Sequence, residues 1–164
     1  MKPDFNDSRR SLVVTASEAY DVVNKRIDLW KRKTGKTPPF EGNTATRWGS
    51  AKEKYCIDAF ERANDCIVKW NNTFYVHDTD PLGATPDFLY KDSVGECKCP
   101  HSMKIPESIP EWYYYQVQVQ IHVMRSHNPS IDHAHFCVWT PDDFKQMIVP
   151  YDSKFILWYM PHVL

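Results

Sequence analysis

The clearest pattern of apolar and polar positions lies between Leu82 and Pro100. Two short runs of apolar and aromatic residues, 88–90 and 94–95, flank the polar turn 91–93. Alternation bounded by turn residues is typical of a β-hairpin. On a strand, residues two apart point to the same face, so this pattern also predicts which side chains of the hairpin meet.

Apolar residues at helical spacing predict four helices. The first covers 15–35 and begins with a capping box, in which Thr15 is followed three residues later by a glutamate. Free backbone N–H groups at such a helix start favour anions. The second helix covers about 44–64. The third covers about 108–125 and opens with serine, an early proline and a glutamate. A short apolar helix is predicted at 152–160.

Three further segments alternate as strands do. Residues 67–77 alternate around two asparagines and predict a second hairpin, and 131–140 and 146–150 predict the last two strands. This order of helices and strands predicts an α/β fold with a mixed β-sheet flanked by helices. The whole chain, 1–164, suits a single domain, with residues 1–9 expected to be flexible.

Composition and charge add a few constraints. The net charge is −1, from 20 basic and 21 acidic residues. This balance does not favour a nucleic-acid binder, although metal ions and a local cluster of Lys and Arg would suffice for one. No apolar run reaches the length of a membrane span, and the first ten residues lack the apolar segment of a signal peptide. We therefore expect no membrane partner and an intracellular protein, in the cytoplasm of the host cell or the nucleus of a eukaryotic one.

Cysteine and histidine offer weaker signals. The five cysteines are an odd number and, without a signal peptide, predict free thiols in a reducing compartment. Cys97 and Cys99 do not have a zinc-ribbon spacing. His133 and His135 alternate on a predicted strand, where they are either a metal-binding pair or satisfied or exposed side chains.

The first hairpin carries the candidate chemistry. Glu96 and Lys98 would lie side by side on one strand, and Asp87 can face them from the neighbouring strand. Carboxylate oxygens suit Mg²⁺ or Mn²⁺, which keep several waters and share the rest of their shell with a phosphate. A protonated lysine is not a ligand, but it can orient or deprotonate a metal-bound water and offset charge on the phosphate. The simpler interpretation is a surface hairpin with ordinary charged residues.

Four blocks of sequence follow one another around this hairpin. They are Arg10 with Thr15-Ala16-Ser17, Trp48-Gly49 with Glu53, Gly83-Ala84-Thr85-Pro86-Asp87 with Glu96-Cys97-Lys98, and Tyr113 with Gln116 and Gln118. The third block has the form of the PD-(D/E)xK nuclease motif. Together the four resemble the lambda-type exonucleases, also called YqaJ-like viral recombinases. The resemblance covers most of the chain and implies a restriction-endonuclease-like core.

The resemblance implies DNA contacts at several positions. Arg10 and Ser17 would bind the 5′-terminal phosphate, and Arg26 would be a looser second contact. Taken without the resemblance, the local signals favour a plain capping box with a solvated arginine. Gln116 would line the active site and help to place the nucleophile or the DNA phosphate. Tyr113 would be a minor contact or a packing residue.

The resemblance also implies a metal site. Asp87, Glu96 and the backbone carbonyl of Cys97 would hold Mg²⁺, for which Mn²⁺ could substitute. Glu53 would complete the metal shell, directly or through water. Lys98 would position and activate the attacking water. The local alternative for Glu53 is a surface partner of a neighbouring lysine.

The activity implied is degradation of one strand of duplex DNA from 5′ to 3′, in phage or viral recombination beside a single-strand annealing protein. Longer family members carry extra elements that help to build a ring-shaped trimer, so a homotrimer stays open for this short chain. An endonuclease for DNA or RNA on the same catalytic core is one alternative. A non-catalytic nucleic-acid-binding module is another, and it should lack a carboxylate or the lysine, all of which are present.

Overall fold

The computed structural model of the chain describes residues 7–38 and 40–164. Within these ranges it contains five α-helices: α1 (Ala19–Asn24), α2 (Arg26–Lys33), α3 (Thr44–Asn64), α4 (Glu111–Arg125) and α5 (Ser153–Val163). Two short 3₁₀ helices precede them at Ser8–Leu12 and Ala16–Glu18. Of the leader expected to be flexible, residues 1–6 lie outside the described residues, and the first 3₁₀ helix begins within the remainder.

In the described part of the chain, eight strands form two sheets. They are β1 (Val14–Thr15), β2 (Lys69–Trp70), β3 (Tyr75–Val76), β4 (Leu82–Ala84), β5 (Phe88–Tyr90), β6 (Ser93–Lys98), β7 (His133–Thr140) and β8 (Asp143–Pro150). The larger sheet has the order β2-β5-β6-β7-β8, and the smaller one β1-β4-β3. In the larger sheet β6 and β7 run parallel, while its other neighbouring strands are antiparallel. The predicted α/β fold with a mixed sheet flanked by helices is confirmed.

Helices α3 and α4 cover opposite faces of the larger sheet, and the side chains of β7 alternate between them. Ala134, Phe136 and Val138 share one apolar cluster with α4. Cys137 belongs to another cluster, together with Ile57 of α3. Because both faces are covered, β7 is almost continuously apolar. On β6, Glu96 is paired with Phe136 and Lys98 with Val138, so both side chains face α4 as well.

A third apolar cluster joins α4 to the first helices, to β4 and to α5. Tyr159 of α5 is fully buried in it and donates a hydrogen bond to the carbonyl of Ala19 at 2.8 Å. Helix α4 is thus packed on several sides, which positions it firmly beside β6. Across 7–38 and 40–164, no helix is both long and apolar enough to cross a membrane.

The prediction of one continuous helix over 15–35 is wrong. The predicted start is confirmed, because the N–H of Thr15 donates to a carboxylate oxygen of Glu18 at 3.0 Å. The helix then breaks at Lys25, whose φ of −140° and ψ of 46° are not helical. Two helices, α1 and α2, therefore replace the predicted one.

The predicted hairpin over 67–77 is also wrong. Strand β2 pairs with β5 and strand β3 pairs with β4, so the two segments belong to different sheets. Asn71 stands between them, and its side-chain amide donates to the carbonyls of Thr73 and Pro86 at 3.1 and 2.8 Å. These bonds turn the chain from one sheet to the other instead of back on itself.

Other boundaries shift by a few residues. Helix α4 begins at Glu111 and not at a serine cap, because the carbonyl of Pro110 accepts the first N–H groups, from Tyr113 and Tyr114. Strand β8 begins three residues before the predicted position, at Asp143. Helix α5 continues through Pro161, whose missing N–H falls in the last turn. The second helix is confirmed over its whole predicted length, 44–64.

Candidate active site

Asp87 is fixed at the point where the hairpin enters β5. Its backbone N–H donates to the carbonyl of Gly95 at 2.9 Å, and its carboxylate accepts from the backbone N–H of Cys97 at 2.7 Å. The side chain is therefore held against the neighbouring strand β6. Burial, followed by the charges of Glu96 and Glu53, raises the pKa of Asp87 well above its usual value.

Glu96 and Lys98 lie side by side on the face of β6 that α4 covers, as the two-residue spacing predicts. The ammonium of Lys98 lies 3.0 Å from one carboxylate oxygen of Glu96 and donates to the side-chain oxygen of Gln116 at 3.1 Å. It also lies 4.4 Å from the ring centre of Tyr113. Burial alone would lower the pKa of Lys98, but the charge of Glu96 and smaller contributions raise it overall.

Two glutamines of α4 hold the carboxylate of Glu96. Gln116 donates to Oε1 at 3.1 Å, and Gln120, one helical turn further, donates to Oε2 at 2.7 Å. The Glu96 side chain is only 7% exposed. Each of its oxygens thus has a partner, and the carboxylate is fixed in one orientation beside Asp87.

Glu53 reaches the site from α3 and is hydrogen-bonded to Asp87 through its side chain. Burial raises the pKa of Glu53, and the charge of Glu96 acts in the same direction. The alternative of a surface partner for a neighbouring lysine does not fit this arrangement.

Three neighbouring acidic groups, two of them with raised pKa values, match the donor set of a hard divalent cation. Among the described residues, the only three potential ligands with all ligand atoms within 4.8 Å of one another are elsewhere, at His77, Asp80 and His122. The acidic groups of the candidate site are therefore spaced more widely. Such spacing suits a cation that retains part of its hydration shell, as Mg²⁺ does.

The predicted phosphate ligands line the same cavity as the acidic residues. This cavity, of about 140 Å³, is lined by Arg10 and Ser17 together with Asp87, Glu96 and Gln116. The fold thus brings the predicted phosphate ligands next to the predicted acidic residues, although more than 60 residues separate the two sets in the sequence. The cavity also has walls of Thr15, Ala16, Ala84, Thr85 and Gln120.

Arg10 and Ser17 are oriented by neighbours. The guanidinium of Arg10 donates to the hydroxyl of Thr85 at 2.8 Å and lies 4.5 Å from the ring centre of Phe74. The hydroxyl of Ser17 is 3.2 Å from that of Thr15. Sequence reasoning missed Thr85 and Phe74 as supports of Arg10, since both are distant in the chain.

Arg26 is not brought to the site. Its guanidinium donates to the carbonyl of His162 at 2.7 Å, and it lines a separate cavity beside Trp30. Arg26 is therefore not part of the candidate cavity, and its DNA contact stays a prediction. Tyr113 lies at the site, but its ring packs against Phe136, 5.5 Å away, and beneath Lys98. The backbone carbonyl of Cys97 stays a predicted ligand.

Gln120 is the main site residue that the sequence reasoning missed. It is 1% exposed and bonded directly to Glu96. The available signal was its spacing: four residues after Gln116, on the same face of the predicted helix. This spacing places Gln120 on the face of Gln116, but it does not show that the face meets Glu96.

The histidines and cysteines outside this cavity have structural surroundings. His135 is buried against the ring of Phe60, 4.9 Å away, and burial lowers its pKa to about 4, assisted by the charge of His133. The Nδ1 atom of His135 is buried without a hydrogen-bond partner among the described residues, so both alternatives for the pair stay open. All five cysteines are free. Burial raises the pKa of Cys97, so its thiol stays protonated.

The cluster of His77, Asp80 and His122 also has partners of its own. The two imidazole rings are stacked with centres 4.5 Å apart. Nδ1 of His77 accepts backbone N–H groups from Thr79 and Asp80, and His122 contacts Asp80 at 2.8 Å and the hydroxyl of Tyr151 at 3.0 Å. Parallel rings cannot both direct an in-plane lone pair at one ion, so this cluster joins the β3–β4 connection to α4.

Comparisons with known proteins identify a family and a shared fold. Residues 4–127 match the YqaJ-like viral recombinase domain. The chain is similar in structure to LHK-Exo, an alkaline exonuclease from Laribacter hongkongensis, with a TM-score of 0.77 and 21% identity over 94% of this chain and 85% of that one. LHK-Exo in complex with dAMP matches with the same TM-score and coverage at 20% identity.

A phage-related exonuclease from Haemophilus somnus 129PT matches with a TM-score of 0.73 and 13% identity, over 93% of this chain and 90% of that one. At these identities the structural likeness shows a shared fold. No curated protein matches the chain.

Proposed function

Because the chain belongs to the YqaJ-like viral recombinase family, we propose that it is a metal-dependent exonuclease that degrades one strand of duplex DNA from the 5′ end. The observation that carries this proposal is the shared cavity. The acidic residues Asp87 and Glu96 line it together with Arg10 and Ser17. Acidic groups that could hold a catalytic cation and a guanidinium that could hold a terminal phosphate thus line one small cavity.

The chain's own residues fit a divalent cation. Asp87 and Glu96 would hold it with the carbonyl of Cys97, and Glu53 would contribute directly or through water. A bound Mg²⁺ or Mn²⁺ supplies Lewis-acid stabilisation of the charge that develops on the phosphate. The raised pKa values of Asp87 and Glu53 express the electrostatic cost of burying acidic groups together, which a cation would relieve.

Lys98 acts as a charged hydrogen-bond donor in this proposal. Its raised pKa keeps the side chain protonated at neutral pH. An ammonium has three protons; Glu96 and Gln116 take two of them. The third is available to orient the attacking water or to bind a phosphate oxygen. The same contacts hold Gln116 beside the site of attack.

Arg10 and Ser17 would bind the 5′-terminal phosphate. A guanidinium binds phosphate strongly, through charge-assisted and often paired hydrogen bonds. Thr85 and Phe74 hold the guanidinium of Arg10 in place. An anchored 5′ phosphate beside the acidic residues sets the polarity of digestion, because the scissile bond must then lie near that end.

The test is digestion of linear duplex DNA in Mg²⁺, with ends that carry either a 5′ phosphate or a 5′ hydroxyl. We expect faster loss from phosphorylated ends and abolition of cleavage in Lys98→Ala. Cutting of circular DNA or RNA at similar rates would assign the protein to the endonucleases. Binding of DNA without cleavage in either Mg²⁺ or Mn²⁺ would leave only the binding module.

The proposed biological setting is phage or viral recombination, in which a single-strand annealing protein would take up the strand that digestion exposes. A homotrimer, as in longer members of the family, belongs to the same proposal. Light scattering of the purified protein at several concentrations would test it, and a mass near 19.3 kDa at every concentration would contradict it.

A further inference from the structure

Gln120 has one hydrogen-bonding group in use and one without a partner. Its amide nitrogen donates to Oε2 of Glu96 at 2.7 Å. Its amide oxygen is buried and accepts no hydrogen bond from any of the residues that the structure describes. The residue as a whole is 1% exposed and forms part of the wall of the candidate cavity. Buried polar atoms usually have a partner, so this oxygen indicates a donor supplied by a ligand.

The orientation of the amide follows from chemistry. A carboxylate only accepts hydrogen bonds, so the group that faces Glu96 must be the amide NH₂ and the oxygen must point elsewhere. Gln116 provides a direct comparison on the same helix. Its nitrogen also donates to Glu96, while its oxygen accepts from Lys98 at 3.1 Å. Gln116 therefore has both partners within the protein, and Gln120 has one.

We propose that Gln120 is a positioning residue for the catalytic cation. Its nitrogen fixes the carboxylate of Glu96, and its oxygen accepts a hydrogen bond from the hydration shell of a divalent cation held by Asp87 and Glu96. This inference rests on the proposed metal-dependent function. The oxygen belongs to the same planar amide that touches Glu96. The waters around a cation bound to Glu96 would therefore come within reach of this oxygen.

The nature of the cation supports a water as the donor. Mg²⁺ dehydrates reluctantly and keeps several waters when it binds to carboxylates. Among the described residues, the acidic groups of the site do not all have ligand atoms within 4.8 Å of one another, so they leave part of the shell to water. A retained water must donate its protons to acceptors in the wall, and Gln120 offers an acceptor that no protein group uses.

The test is direct binding of Mn²⁺ to the full chain, measured by electron paramagnetic resonance without DNA. Gln120→Met keeps the length of the side chain and removes both amide groups. We expect about tenfold weaker Mn²⁺ binding, since partners of metal ligands typically affect affinity by about 10- to 100-fold. Gln120→Asn retains the amide but withdraws it from Glu96, and it should also weaken binding.

Gln118→Met is the matched control. Gln118 is equally buried on the same helix, but its amide donates to the carbonyl of Pro150 and accepts from the N–H of Asp152, both at 2.8 Å. We expect this variant to lower the melting temperature and to leave Mn²⁺ affinity within twofold of the wild type. Melting curves identify a variant that fails to fold. If Gln120→Met does not fold, the Mn²⁺ affinity of Gln120→Asn is the test.

The outcomes separate this inference from the proposed function. If the wild type binds Mn²⁺ and folded Gln120→Met or Gln120→Asn binds it within twofold as tightly, the role of Gln120 is overturned. An equal loss in Gln118→Met would also overturn it, because the effect would then be structural. If the wild type itself binds no Mn²⁺, the metal-dependent function fails first.

Discussion

Glu53 and Asp87 are held in an arrangement that is unfavourable while no cation is bound. Both groups are partly buried near Glu96, and for each of them burial is the largest cause of the raised pKa. Their folded-state pKa values lie above the unfolded ones, so the folded protein binds more protons. The corresponding stability is present at acidic pH and is lost as the pH rises through the folded pKa.

This arrangement predicts a gain in stability when Asp87 is made neutral. Asp87→Asn keeps an oxygen that can accept from the N–H of Cys97 and removes one charge. In EDTA we expect a higher melting temperature than for the wild type, by about 2–4 °C for each kcal/mol of relieved repulsion. The gain should be large at pH 8 and small at pH 4.5, and DNA cleavage should be lost. Calorimetry at the two pH values measures it.

Asp142→Asn serves as the control, since Asp142 is exposed in the turn between β7 and β8. Its melting temperature should follow the wild type at both pH values. A gain for Asp87→Asn that is the same at pH 4.5 and pH 8 would contradict the electrostatic explanation.

Most single residues of the site were predictable, and the exceptions have a common cause. Asp87, Glu96 and Lys98 follow from strand periodicity and a short motif. Gln120 depends on how α4 lies against β6, since its partner Glu96 is 24 positions away. The position of Arg26 outside the cavity was likewise not predictable, because its partner, the carbonyl of His162, is 136 positions away. Local patterns carry no information on such distances.

At the scale of elements, the spacing of the catalytic hairpin depends on a close contact between β5 and β6. Gly95 is paired with Phe88, and a Cβ atom at Gly95 would overlap the Phe88 ring. That ring is fully buried and packs against Phe60 with ring centres 4.8 Å apart. It therefore cannot move aside easily.

We accordingly expect Gly95→Ala to lower the free energy of unfolding by about 1–3 kcal/mol, the usual effect of overpacking. Urea denaturation measures this change. Gly49→Ala is the matched control, because a Cβ atom there would lie an ordinary 3.8 Å from the carbonyl of Cys99. In helix α3 this alanine should stabilise by up to about 1 kcal/mol. Equal effects of the two substitutions would refute the role of the Phe88 contact.

Elements with strong local signals were predicted well, and pairing between strands was not. Helix α3 has an asparagine cap, Asn43, and a regular apolar face, which set both of its ends. The hairpin β5–β6 is closed by its own turn. Strands β2 and β3 are two residues long and find partners in different sheets. Their alternation was read correctly as extended structure, but a two-residue strand does not determine its partner.

At the scale of the whole molecule, the near-neutral net charge gives the chain little general attraction to DNA. Non-specific binding depends on neutralising many phosphates with Lys and Arg. With 20 basic and 21 acidic residues, binding should depend more on the DNA end than on the length of the duplex. Arg10, which lines the candidate cavity, is the residue expected to recognise that end.

This predicts an end preference that one substitution removes. In the non-cleaving Asp87→Asn background, a duplex with 5′-phosphate ends should bind about tenfold more tightly than one with 5′-hydroxyl ends. That factor corresponds to one charge-assisted contact of about 1.4 kcal/mol. Arg10→Gln should abolish the preference. Fluorescence anisotropy with end-labelled duplexes measures it.

Arg9→Gln is the control for this experiment. Arg9 adjoins Arg10 but contacts Asp7 and the carbonyl of Phe74, so its substitution should preserve the preference. Loss of the preference in both variants would indicate that it depends on the overall positive charge near the end and not on Arg10. Persistence of the preference in Arg10→Gln would show that the 5′ phosphate binds elsewhere.

The alternation along β6 also limits how this segment can change. Glu96 and Lys98 face α4, and Cys97 between them faces α3, so chemistry and packing occupy alternate positions of one strand. A single inserted or deleted residue between Asp87 and Glu96 would exchange the two faces. The thiol would then enter the cavity and both charges would enter an apolar layer. The segment can therefore accept new side chains at the packing positions, but its length is fixed.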